Sequence, residues 1–150
     1  MATIAAFVPA GLGLAPSVAA DATTANLRTA IASARGGSCG PLRSDPVVER
    51  VAEAINRSVS DYQNLTSAGL QPIDDPGPGL KALGYSGNKS KLLRGYGKTE
   101  ADAIKILILQ GFAVKEGTPF IADCAFKDYG ASVIHNDTWG YMTSTVLAGP

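Results

Sequence analysis

Histidine, cysteine and tryptophan are almost missing from this chain: one, two and one among 150 residues. A lone histidine, His135, cannot furnish the several nitrogen ligands of a catalytic zinc site, and the two cysteines, Cys39 and Cys124, are too far apart for the usual closed zinc spacing. No metal or cofactor is therefore expected. Excess charge is missing too. Thirteen basic and thirteen acidic residues leave a formal net charge of zero. They are interspersed, so there is no basic stripe for nucleic acid and no polybasic patch for a membrane surface. The nearest approach is a local group, Lys81, Lys89, Lys91, Arg94 and Lys98, whose ordinary meaning is solvated loop charge. No later apolar run approaches the roughly 20 residues that a transmembrane helix needs.

Charge is absent altogether from the first twenty residues, MATIAAFVPAGLGLAPSVAA. Ile4 to Leu14 has the length of a signal-peptide apolar region, and Val18-Ala19-Ala20 supplies the small residues a signal peptidase requires. The expectation is a signal peptide over residues 1–20, cleaved after Ala20, and a single domain over 21–150. The Lys or Arg that normally opens such a segment is missing; a buried N-terminal segment of a cytoplasmic protein is the alternative. Export suits the cysteines. In an oxidising compartment an isolated pair reads as one disulfide, two unrelated buried thiols being the alternative. About 130 residues suffice for one domain with its own core, and a monomer is expected.

From Thr23 the chain has helical periodicity: Leu27, Ala30, Ile31 and Ala34 share a face, and Gly36-Gly37 stops it. Asp45 and Pro46 start a second helix, with Val48, Val51, Ala52, Ile55, Val59 and Tyr62 on one side. GLQPIDDPGPG (69–79) forbids a regular element. Gly84 to Gly97 is expected to hold only a helical turn around Lys89 to Arg94. Thr99 opens a third helix, so apolar from Ala103 to Leu109 that burial on most sides is expected. Phe120 to Cys124 reads as a short strand. Tyr129 to His135 and Tyr141 to Ala148 alternate as strands around an Asn136–Gly140 turn, giving an antiparallel hairpin. Helices first and strands last indicate an α+β fold, helices packed on a small antiparallel sheet.

The order of segments resembles the CAP superfamily, the cysteine-rich secretory, antigen 5 and pathogenesis-related domains. ANLRTAIASARGG and CGPLRSDPVVERVAEAIN are similar to the family's first helix, its Gly-rich break and its second helix. KTEADAIKILILQG is similar to the helix before the family's His-containing segment. FKDYGASVIHND and TWGYMTSTVLAG are similar to its closing strands. The resemblance implies an α-β-α sandwich and a small secreted bacterial member, of actinobacterial and even mycobacterial type. Many members of that family carry two histidines and two glutamates that can bind zinc, and this chain departs from that pattern. Where the family carries histidines and glutamates this chain reads YQNLTSAG, LGYSGNKSK and LQGFAVKEG, so no catalytic or metal-binding residue carries over.

Other chemistry is weakly signalled. His135 lies two residues from Asp137, with hydroxyls in the next strand, but triad geometry needs far more than this. Asp74-Asp75 fits a turn, and Asp123 with Asp128 flanks the sheet. GYSGNKSK lacks the phosphate-binding loop's ending. Asn-x-Ser/Thr at Asn56, Asn64, Asn88 and Asn136 is taken as chance. The expected function is an exported, non-enzymatic binding module for a lipid or other apolar ligand, secreted or held in the cell envelope. A cell-envelope structural or interaction protein without a small ligand is the alternative, and a hydrolase comes last. The expected ligand site lies in the loop-rich middle: Tyr85 and Tyr96 for apolar contact, and Lys89, Lys91 and Arg94 for an acidic head group. Solvent-facing Tyr85, Tyr96, Phe112 and Trp139 would favour binding; burial of all four would favour the envelope alternative.

Overall fold

A computed structural model of the chain describes residues 18–65 and 69–150, the first six of these by backbone alone. The expected signal peptide lies outside the described residues except for its last three, which are backbone of the first helix.

Helix α1 (Val18–Arg35) buries Leu27 and Ile31 and ends at Gly36, whose φ of 67° lies in the left-handed region that glycine tolerates. Helix α2 (Pro46–Gln63) starts as its sequence dictates. Asp45 Oδ1 accepts hydrogen bonds from the amides of Val47 (2.8 Å) and Val48 (3.1 Å), and Pro46 needs no partner there. Its buried stripe is Val48, Val51, Ala52, Ile55 and Val59. The hairpin is also as the alternation required: β5 (Asp128–Asn136) pairs antiparallel with β6 (Gly140–Gly149), from Asp128↔Ala148 to Asn136↔Gly140. Asn136 Oδ1 closes the turn by accepting from the amides of Thr138 (2.9 Å) and Trp139 (3.0 Å).

The middle of the chain is more regular than its glycines and prolines suggested. Gly77–Ala82 is a short helix, α3, and Lys89–Gly97 is a strand, β2, not a helical turn. Strand β2 pairs with β6 along its whole length, from Lys89↔Gly149 to Gly97↔Tyr141. Its glycines, which argued against a strand, are what permit it. Helix α4 (Glu100–Gly111) lies directly on it, and a Cβ at Gly95 would overlap the Ala103 carbonyl. Helix α4 is less buried than expected. Ala103, Leu107 and Gly111 face inward, while Ile106 and Leu109 are 44% and 56% exposed. The helix covers only one face of the sheet, so its far side meets solvent.

The expected strand at Phe120 to Cys124 is instead a 3₁₀ turn (Phe120–Ala122), preceded by a two-residue hairpin of β3 (Val114–Lys115) and β4 (Thr118–Pro119). The carbonyls of Ile121 and Asp123 are turned toward the Arg35 guanidinium and cannot serve a ladder. The main sheet has the order β1-β5-β6-β2, antiparallel except where β1 (Arg43–Ser44) runs parallel to β5. Helices α1 and α4 pack on one face over Leu93, Ile121, Tyr129, Ala131 and Leu147. Helices α2 and α3 pack on the other over Val146 and Ala148. The α+β, α-β-α sandwich is therefore the observed architecture.

Helix α2 sits on the sheet without a spacer at Gly130, where a Cβ would collide with the backbone of Val48 and Glu49. Backbone cannot swing aside as a side-chain end can. Gly130→Ala is expected to cost about 2–3 kcal/mol through overpacking. Equilibrium urea unfolding checks this; a midpoint equal to wild type would mean that α2 lifts freely. Two polar ties fix the same helix. Asn56 Nδ2 donates to the carbonyls of Ser132 (3.2 Å) and Met142 (3.0 Å), and Ser144 Oγ donates to the Ala52 carbonyl (2.7 Å). Asn56 is buried, which suits a structural tie rather than a glycan acceptor.

Candidate functional site

Strand β2 and the residues before it carry all five side chains that the sequence singled out, and the strand's alternation divides them. Lys89 and Lys91 share the α4 side with Leu93. Leu92, on the α2 side with Arg94 and Tyr96, packs against the second core. Lys89 Nζ pairs with Asp123 Oδ2 at 2.7 Å and stands 4.8 Å from the Phe126 ring centroid; Lys91 Nζ stands 4.2 Å from that of Phe120. The Lys89 ammonium and the Ala125 amide both hold the Asp123 carboxyl below the usual carboxylate pKa.

Tyr85 is half-buried near the end of β6. Its hydroxyl donates to Asp128 Oδ2 (2.8 Å), and the other carboxylate oxygen takes Arg43 Nε (2.8 Å). Burial pushes the Tyr85 hydroxyl pKa up, and the hydrogen bond to the carboxylate adds to this. Tyr96 is 42% exposed and Trp139, beyond it at the hairpin turn, is 53% exposed. Phe112, also exposed, follows the far end of α4. The aromatic and basic side chains thus do not converge on one place.

A different set does converge. Between α2 and the 73–83 segment runs a groove of about 450 Å³. Val51, Ala54 and Ile55 of α2 form one wall, and Ile73, Pro78, Ala82 and Leu83 form the other. Gly79 brings α3 close: a Cβ there would already touch Val51. The irregular wall is pinned at Ile73 from both sides. Its amide donates to Ser58 Oγ on α2 (3.0 Å), and its carbonyl accepts from the Arg94 guanidinium on β2. Arg94 therefore positions the wall. The charged groups in the lining are Arg50, Asp74 and Asp75, and Asp75 Oδ1 already accepts from the Gly77 amide (2.9 Å). The lining has no histidine, thiol or lysine. It offers apolar contact far more than reactive groups. Ile73 and Leu83 remain 45% and 42% exposed.

The groove shares the loop-rich stretch expected to hold a ligand site but is lined by none of Tyr85, Lys89, Lys91, Arg94 and Tyr96, and its opposite wall on α2 was not expected. Val51 and Ile55 read simply as core, and Ala54 lay off the stripe. The available signal was a helix face whose apolar width exceeds what one sheet can cover. Among the described residues, no group of three or more His, Cys, Asp and Glu side chains could hold a metal ion, and no helix is long and apolar enough to cross a membrane.

Cys39 and Cys124 are joined in a disulfide that ties the turn after α1 to the loop after the 3₁₀ turn, not to the sheet itself. Beside it, the side chain of Arg35 is buried. Nη1 donates to the carbonyls of Ile121 (3.0 Å) and Asp123 (2.8 Å), and Nη2 donates to that of Phe126 (2.9 Å). Burial pulls the Arg35 pKa down and the Asp123 charge opposes it.

No family model and no curated protein matches the sequence. Solved structures do match the fold. An outer surface protein of Borrelia burgdorferi aligns over 85% of this chain and 92% of its own, with a TM-score of 0.62 at 13% identity. A cysteine-rich secretory protein of Staphylococcus aureus aligns over 90% of this chain, with a TM-score of 0.61 at 12% identity. An extracellular protein of Bacillus anthracis containing an SCP domain aligns over 87% of this chain, with a TM-score of 0.58 at 15% identity. This chain spans 40% and 41% of the staphylococcal and Bacillus chains. The likeness gives the protein a CAP-like fold.

Proposed function

We propose that the protein is an exported, non-catalytic binding module whose ligand is a small apolar molecule, of the acyl-chain class, held between α2 and the 73–83 segment. The groove carries this reading. Its volume, about 450 Å³, falls in the range of small-molecule sites, and apolar walls with a few polar groups at hand are what such sites use. The structurally similar proteins are an outer surface, a secretory and an extracellular protein, which supports the exported state. Exposure of Tyr96, Phe112 and Trp139 favours binding over the envelope alternative. An acidic head beside the groove would not reach Lys89 or Lys91, which stand on the other side of the sheet. Arg50 is the cation in the lining.

The test is displacement of a fluorescent fatty acid. Ala54→Phe fills the groove and is expected to weaken binding at least tenfold, with circular dichroism unchanged. Tyr85→Ala and Tyr96→Ala, which lie away from the groove, are expected to keep wild-type affinity. Equal affinity in Ala54→Phe would remove the groove from the site. Absence of displacement by any lipid class would transfer the proposal to the alternative, an envelope interaction protein without a small ligand.

A further inference from the structure

A second basin lies on the opposite side of the sheet from the groove, where the start of β2 faces the β3–β4 hairpin and the 3₁₀ turn. It encloses about 650 Å³ and is lined by Lys89, Lys91 and Lys115 together with Asn88, Ser90 and Thr118. We infer that this basin is an anion site for a phosphoryl group, independent of the apolar groove.

The charge balance favours an anion: three lysines stand against Asp123 and Glu116, leaving one net positive charge. Lys89 is answered by Asp123 at 2.7 Å. Lys91 and Lys115 enter no ion pair among the described residues. Glu116, at the hairpin tip with a φ of 53°, is the other carboxylate in the lining. Two ammonium groups therefore face a single further carboxylate, with which neither is paired. Two of the three lysine positions are set from below. The Phe120 ring holds the Lys91 ammonium over its face, and the Phe126 ring does the same for Lys89. The ring faces are thus occupied by cations, which leaves the ligand charge and hydrogen bonds to recognise rather than stacking. Ammonium groups bind phosphate as point charges, and the Thr118 hydroxyl with the Asn88 amide can donate to the remaining oxygens. Strand alternation explains the cluster: Lys89 and Lys91 are two apart and point the same way, while the hairpin brings in Lys115 from 24 positions along.

Sodium pyrophosphate is the soluble probe, titrated at constant ionic strength into the intact protein and followed by amide chemical shifts. Saturable one-to-one binding is expected, with the largest shifts at Ser90, Lys91, Lys115 and Thr118. Lys91→Gln and Lys115→Gln should each weaken it at least fivefold, and the double variant should abolish it. Thermal melts confirm that the variants fold. A second arm uses flotation with phosphatidic acid vesicles against phosphatidylcholine vesicles. Flotation on phosphatidic acid alone, lost in the double variant, identifies a lipid head group as the source of the phosphoryl group. Pyrophosphate binding without flotation identifies a soluble phosphoester. No saturable binding to either probe, or binding that the double variant retains, would overturn the inference. Fatty-acid displacement by Ala54→Phe reports on the groove separately, so the two proposals fail independently.

Discussion

Removing the Cys39–Cys124 bond is expected to lower the unfolding free energy by about 4.5 kcal/mol, from the loop-closure entropy of a bridge spanning 85 residues. The bridged stretch contains α2, α3, β2 and α4, so the free chain gains nearly the whole conformational freedom of the middle of the molecule. The effect lies mainly in the unfolded state. The native position of the loop is fixed independently by Arg35 and by Asp123 Oδ1, which accepts from the Ala125 amide at 2.8 Å. Urea unfolding of the Cys39→Ser/Cys124→Ser double variant against the oxidised protein checks this. The midpoint should fall and the slope should steepen, because the uncrosslinked denatured chain exposes more surface. A loss below about 1 kcal/mol would mean that the denatured state is already compact around this loop, contrary to the chain-entropy account.

Arg35→Met is expected to destabilise by about 3 kcal/mol, since buried carbonyls that lose a charged donor keep their full desolvation penalty. Three carbonyls, those of Ile121, Asp123 and Phe126, turn toward this one guanidinium at 3.0 Å or less. Methionine relieves the cost of burying a charge, which limits the loss, but fills the space without donating. Arg35→Lys should recover only part of it, because an ammonium cannot reach three divergent acceptors as a planar fork does. The disulfide acts mainly on the unfolded state and Arg35 on the native one, so the two effects should add to within about 0.5 kcal/mol. A double-mutant cycle in urea measures this. A larger coupling would show that the disulfide also holds the native segment in place.

The helices and the closing hairpin were legible because local rules set them. Asp45-Pro46 specifies a helix start wherever it stands, and β5 and β6 are runs rich in Val, Ile, Thr and Tyr on either side of a turn signal, which marks a hairpin although helices bury both of its faces. The lone cysteine pair likewise pointed to a disulfide. Strand β2 was not legible. KSKLLRGYG contains two glycines and three basic residues, and each has its reason elsewhere: Gly95 and Gly97 in the backbone of α4, Lys89 in Asp123, Lys91 in the Phe120 ring, Arg94 in the carbonyl of Ile73. The same holds for Phe120–Ala122, where strand-like residues become a turn because Arg35, some 85 positions earlier, gathers the carbonyls.

For function the division is similar. The sequence by itself determined what chemistry is scarce: one histidine, two cysteines and no net charge. It also determined that the apolar residues of the middle exceed what a plain linker needs. Only the tertiary structure decided where the candidate sites lie. A strand sends neighbouring side chains to opposite faces, so the tyrosines and lysines that are close in sequence are separated by the thickness of the sheet. A helix and a loop 20 residues apart share one groove because Ser58 and Arg94 pin Ile73 between them. Periodicity and capping act within a few residues and can be read along the chain. Apposition of distant backbones depends on what each face must bury, and that is settled only when the layers meet.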